Sequence, residues 1–360
     1  MRLTGEFISL FFEAASIQRW NDHIRPSQGF TELDKQAHKM LFAYVLGKFE
    51  EDVHNCTLNW IGLIDGALYE LLHRIKLTDI KPPVFHRLMS EEGPALNEWV
   101  IKQLNQQIAD STLLKEMERY FETEKTKEKK LLSAAHYLAT QWEFRTIYHL
   151  NQGFYGLEST REAIENQLED HSDLVGVQRL ALKRKAYRFM DLVGQLRFQQ
   201  RWAQSPRVPE TSVLGHMLIV AFMAYLSSPK KEDVESFFRG LFHDLPEALT
   251  RDIVSPVKKS IPDLEEHITR IEHEEMDNVL LPLVPESWRE TLRHYTRPLK
   301  DSRIKACDDL AAFVEASLSI RHGITSQHLE TARCKLFNEY SEKADHPFEA
   351  AFQYFWDLSK

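Results

Sequence analysis

The stretch GLFHDLPEALTRDIVSPVK, Gly240 to Lys258, sets an imidazole, His243, beside a carboxylate, Asp244. Two more groups of the same chemistry flank the pair: His216 in the apolar run LGHMLIVAFMAYLS (214–227), and Asp308 at the head of DDLAAFVEASLSI (308–320). Imidazole nitrogen and carboxylate oxygen together suit one divalent ion such as Mn, Co, Mg, Fe, Ni or Zn, with positions left open for water and substrate. Neighbouring residues on a helix point roughly 100° apart. His243 and Asp244 therefore reach a single ion only at a helix end or break, which Pro246 supplies. The same letters also fit a plain helix start, with Asp244 as cap, Pro246 in the first turn and Glu247 at capping-box spacing. Asp308 has a similar alternative, as an N-cap or as the partner of Lys305.

The elements that must position these residues are helices. Apolar residues recur every three or four positions in 214–227, 308–320 and KKLLSAAHYLATQWEF (129–144), and alternating strand patterns are scarce. The expected class is all-α. With 360 residues, 43% hydrophobic and 28% charged, the chain has the composition of a water-soluble globular protein. A net charge of −9 and a pI near 6.0 give no global field toward nucleic acid or an anionic membrane. Cys56, Cys307 and Cys334 lack metal-motif spacing and suit a reducing compartment. MRLTGEFISLFFEAASIQRW reads as an amphipathic helix, with no signal-peptide pattern and no span-length apolar run. The expected setting is the cytoplasm, without membrane or nucleic-acid partners. EEHITRIEHEEMDN (265–278) carries His267 and His273 but reads as a solvated, ion-paired helix.

The chain also repeats itself. IQRWNDHIRPSQGFTELDKQAHKMLFAYVL (17–46) lines up with QQRWAQSPRVPETSVLGHMLIVAFMAYL (199–226), ALYELLHRIKLTDIKPPV (67–84) with Gly240–Val257, and LLSAAHYLATQWEF (131–144) with RIKACDDLAAFVEA (303–316). In this register His38 answers His216, Glu70-Leu71 answer His243-Asp244, Arg74 answers Glu247, and His136 answers Asp308. Arg19-Trp20 and Asp79 are kept. A boundary in LEDHSDLVGV (168–177) predicts two tandem helical domains, 1–172 and 173–360. If His243-Asp244 were only a cap, the first copy would need one too, and Leu71 cannot serve.

The order H…HD…D resembles the HD superfamily of metal-dependent phosphohydrolases, and most closely the bacterial 5′-deoxynucleotidases. The resemblance covers about 190–335. It rests on Arg201-Trp202 ahead of His216, on the HD pair with Glu247, Leu249-Thr250, Asp252 and Pro256-Val257-Lys258, and on the ACDDL context of Asp308. It implies one divalent ion on His216, His243, Asp244 and Asp308, with Glu247 as the proton-shuttling acid and base. Arg201 would then hold the phosphate, Trp202 the sugar or base and Asp252 a sugar hydroxyl, with Lys258 neutralising phosphate charge. The implied substrate is a nucleoside 5′-monophosphate; cyclic, alarmone or triphosphate nucleotides, or nucleotide sensing without turnover, are the alternatives. The first half is then a non-catalytic copy, and the chain a monomeric pseudo-dimer or a homodimer. Leu214-Gly215 stand where the family has Ser-Glu, and Arg251 where it has glycine.

Overall fold

The computed structural model describes residues 3–26, 29–123, 126–230, 233–258, 260–297, 303–343 and 346–360. Among them every regular element is helical, and the extended backbone contacts are two isolated bridges, Gln18 with Thr31 and Gln200 with Ser212. The periodic runs become the helices Lys127–Tyr148, Val213–Leu226 and Arg303–Arg321. No described helix is long and apolar enough to cross a membrane.

Two helices form the centre. Val213–Leu226 is apolar around its whole circumference and all of its residues are buried, as such a pattern requires. Glu32–His54 packs against it and buries most of its length. Their starts are tied together. Thr31 and Ser212 cap the two helices, accepting from the Asp34 and Gly215 backbone N–H groups, and both hydroxyls donate to the Asp34 carboxylate. Val213–Leu226 also packs on Val234–Phe242 and Arg303–Arg321, so the helices bearing the candidate ligands meet on one central rod.

The division at 172/173 does not separate two cores. One continuous apolar cluster runs from Leu3 to Phe355. The helices Val175–Ala181 and Lys185–Gly194 pack on Glu32–His54, and the last helix, Glu349–Leu358, packs on the first, Gly5–Ser16. Arg197, fully buried, donates to Glu143 at 2.7 Å and to the Gly29 carbonyl at 3.3 Å.

The crossing of Val213–Leu226 over Val234–Phe242 is unusually close at Gly240, where a Cβ would lie 2.6 Å from the Ala221 Cα and 2.8 Å from its nitrogen. Backbone cannot yield as a side chain can. Gly240→Ala is expected to lower stability by about 1–3 kcal/mol, the usual range for overpacking, read as a lower midpoint in denaturant unfolding.

Candidate metal centre

The helix Val234–Phe242 stops just before the HD pair. His243 and Asp244 lie in the turn that follows, closed by Leu245 N–H to Phe242 O at 3.1 Å and Glu247 N–H to Asp244 O at 3.0 Å. Pro246 stands at the N-cap of the short helix Glu247–Thr250, which has no side-chain cap bond. The Asp244 carboxylate therefore does not cap. It faces inward, 3.1 Å from His243 Nε2 and 3.7 Å from His216 Nε2.

His216, His243 and Asp244 place one ligand atom each within 4.8 Å of one another, and no other such trio of His, Cys, Asp or Glu occurs among the described residues. His243 Nδ1 lies 2.7 Å from the Gly240 carbonyl, to which it donates, so its Nε2 lone pair is turned to the site. His216 is fully buried and its Nδ1 has no hydrogen-bond partner, while its Nε2 and that of His243 each lie 3.1 Å from a carboxylate oxygen, of Asp308 and Asp244, out of line for a hydrogen bond. Buried nitrogens are seldom left so; a cation between them fits this donor set. Asp308, in the second turn of Arg303–Arg321 and so not an N-cap, brings Oδ1 to 3.1 Å from His216 Nε2, while Lys305 holds its Oδ2 at 3.0 Å.

Burial and charge prepare these groups. Burial, then the Arg201 guanidinium, hold the His216 imidazole below its usual range, in the neutral form that a metal needs. Burial works against the charge on Asp244, but the adjacent His243 and then His216 outweigh it and bring the carboxyl to about 2. Asp308 is likewise held well below its usual range, against burial, by His216, Lys305 and Arg201. Glu247 goes the opposite way. Burial, then Asp244 and Asp252, push its carboxyl well above the ordinary range, and its Oε2 is buried without a partner.

Arg201 leans over the site from beside the isolated bridge of Gln200 with Ser212. Its backbone N–H donates to Thr211 O at 3.1 Å, and its guanidinium lies 3.8 Å from Asp244 and 3.7 Å from Asp308. What fixes it is Glu315, a residue that motif reading missed. One Glu315 oxygen accepts from Arg201 Nε at 3.2 Å and from Trp202 Nε1 at 2.8 Å, while the other accepts from Thr211 Oγ1 at 2.5 Å. Glu315 follows Asp308 by seven residues, two helical turns along the same face, and the internal alignment pairs it with Glu143; either signal points to it. Asp252 and Lys258, both half-buried, bear on Glu247 through their charges. Gln199, also unforeseen, donates to the Glu247 carbonyl at 3.1 Å.

His38 does not occupy the place of His216. Counted from the caps Thr31 and Ser212, the fourth residue is Lys35 in one helix and His216 in the other. His38 lies a turn deeper, fully buried, with Nε2 3.1 Å from Met190 O and Nδ1 2.9 Å from Arg197. The loop ahead of the first helix is one residue longer, not four, so the histidines fall out of register. The departures from the family pattern also have causes. A Cβ on Gly215 would sit 2.8 Å from Leu33 and 3.2 Å from the Asp34 carboxylate, so the first half fills the space a longer side chain would need. Arg251 keeps the positive φ of 65° that glycine takes more readily.

Residues 193–305 match the family model described as the HD domain. The second half of this chain carries an HD domain. It is similar to the 5′-deoxynucleotidases of Vibrio atlanticus (27% identical over 144 residues, 36% of this chain and 74% of the relative) and Photobacterium profundum (28% over 152 residues, 38% and 76%). A third, from Pasteurella multocida, is 24% identical over 168 residues, 42% of this chain and 83% of its own. Residues 193–305 are thus similar to the HD domains of phosphohydrolases. Elemental analysis is expected to find divalent metal in the unaltered protein and to find it lost in His243→Ala and in Asp244→Ala, with far-UV circular dichroism unchanged.

Proposed function

We propose that the HD domain hydrolyses nucleoside 5′-monophosphates. The observation that carries this reading is the convergence of His216, His243 and Asp244 under the Arg201 guanidinium, with Glu247 one turn beyond the HD pair. A phosphate that reaches the mouth meets a fixed planar donor fork directly over the ligand cluster. The similarity to proteins that act as 5′-deoxynucleotidases supports a nucleotide as the phosphate's carrier.

In this reading His216, His243, Asp244 and Asp308 hold the divalent ion. The bound metal supplies an activated water and polarises the phosphoryl group. The remaining work falls to side chains. Arg201, braced by Glu315, orients the phosphate and balances the charge that gathers on it. Glu247 accepts a proton from the attacking water and returns it to the departing ribose oxygen. Trp202, its indole N–H occupied by Glu315, offers its ring face to sugar or base, and Asp252 accepts a sugar hydroxyl. Lys258 adds positive charge at the mouth. The catalytic unit is then 173–360 and the non-catalytic unit 1–172, paired within one chain.

The test is phosphate release by the purified chain with Mn²⁺, Co²⁺ or Mg²⁺ against 5′-monophosphates, cyclic nucleotides, alarmones and triphosphates. Release from monophosphates alone is expected; turnover confined to another class overturns the substrate assignment. Glu247→Gln is expected to lower kcat by about 10²- to 10⁴-fold, the usual worth of a general acid–base group, with metal content retained.

A further inference from the structure

The first half repeats the substrate-facing geometry of the HD site without its metal ligands. In both halves an Arg-Trp pair leaves the isolated bridge, and the tryptophan takes a positive φ, 58° at Trp20 and 56° at Trp202. The arginine N–H donates across the bridge, Arg19 to Phe30 O at 2.7 Å and Arg201 to Thr211 O at 3.1 Å. One buried glutamate accepts from both side chains. Glu143 takes Arg19 Nε at 3.0 Å and Trp20 Nε1 at 2.8 Å, as Glu315 takes Arg201 and Trp202. The turn behind the acid is the same as well. Thr78 and Arg251 both have positive φ and donate to the carbonyl four residues back, Arg74 O and Glu247 O, each at 2.8 Å. Asp79 and Asp252 follow directly.

The groups that differ are the metal ligands and the acid. Lys35 stands for His216, Glu70 for His243, Leu71 for Asp244, Arg74 for Glu247 and His136 for Asp308. The helix Trp60–Leu77 runs unbroken through Glu70 and Leu71, where the second half breaks for its HD pair. Positive side chains fill the vacated centre. The Lys35 ammonium lies 2.6 Å from His136 Nδ1, and Arg19, Lys35 and Arg74 share one carboxylate, Glu32, at 3.0, 3.7 and 3.9 Å. Burial, only partly offset by Glu32, brings Lys35 down to about 7, with Arg19, Lys39 and Arg74 adding to the fall. Arg19 is about as exposed as its counterpart Arg201, 10% against 13%, and Arg74 and Asp79 reach the surface at 16% and 29%, with Lys35 beneath them at 2%. Buried charges are costly to keep, yet this half carries Arg19, Trp20, Glu143 and Asp79 in the same arrangement and sets cations, Lys35 and Arg74, where the other half has His216 and Glu247, while Glu70 is paired with Lys39.

We propose that the first half binds the 5′-phosphate of a nucleoside monophosphate without metal and without hydrolysing it, through Arg19, Lys35 and Arg74. Trp20 and Asp79 take the nucleoside as Trp202 and Asp252 do in the catalytic half, so the choice of ligand rests on the function proposed above.

The test uses the full chain carrying His243→Ala, stripped with a chelator, titrated by calorimetry with each of the four deoxynucleoside 5′-monophosphates. One equivalent of saturable binding is expected with at least one of them. Adding Arg74→Ala weakens it tenfold or more, and Arg74→Lys restores part of the loss. Absence of saturable binding, or binding that Arg74→Ala leaves unchanged, overturns the proposal. Metal-dependent hydrolysis by the unaltered chain is scored separately. Turnover of monophosphates without binding to the stripped protein sinks this inference alone, whereas Arg74-dependent binding without turnover supports it and removes the catalytic reading instead.

Discussion

The approach of Gly240 to the backbone of Ala221 brings the Val213–Leu226 helix, with His216, against the Val234–Phe242 helix just before it breaks. That crossing decides where the two imidazoles can meet, with ring centroids 5.3 Å apart. The break after Phe242 then turns Asp244 toward His216, which a continuing helix would forbid. In the first half the equivalent helix continues, and the same positions hold Glu70 and Leu71.

Charge is arranged around this crossing in two layers. Carboxylates and imidazoles make the inner one. The outer one is the Arg201, Trp202, Thr211 and Glu315 network, in which Glu315 is fully desolvated and held at about 2 by Arg201 and Arg207, against burial. A buried ion pair of this kind adds little net stability. Its value is positional, since it fixes a guanidinium over the ligand cluster before any substrate arrives. The first half supports the arrangement from below. Asp34 accepts from the cap of the His216 helix, and Leu33 fills the space beside Gly215.

Much of this was legible in the sequence. The all-helical class followed from apolar spacing, and the candidate trio His216, His243 and Asp244 was singled out by type, order and family pattern; the structure brings their side chains together. Pro246 correctly announced the helix break, although the break sets Asp244 inward rather than at a cap. The sequence was least informative where tertiary contact decides. A fully buried glutamate such as Glu315 looks like any helical acid until its partners are known, and the shared core hides any domain boundary. The pairing of His38 with His216 failed because identity of letters was preferred to distance from the N-cap. The cap is the physical origin of helix register, and it selects Lys35.

In the proposed site His216, His243 and Asp244, with Asp308 beside them, surround a divalent ion. Anomalous diffraction at the manganese edge from crystals grown with Mn²⁺ tests this directly. One strong peak is expected within coordination distance of His216 Nε2, His243 Nε2 and an Asp244 oxygen. A well-ordered site with no peak there, or a peak at His267 or His273 instead, contradicts it.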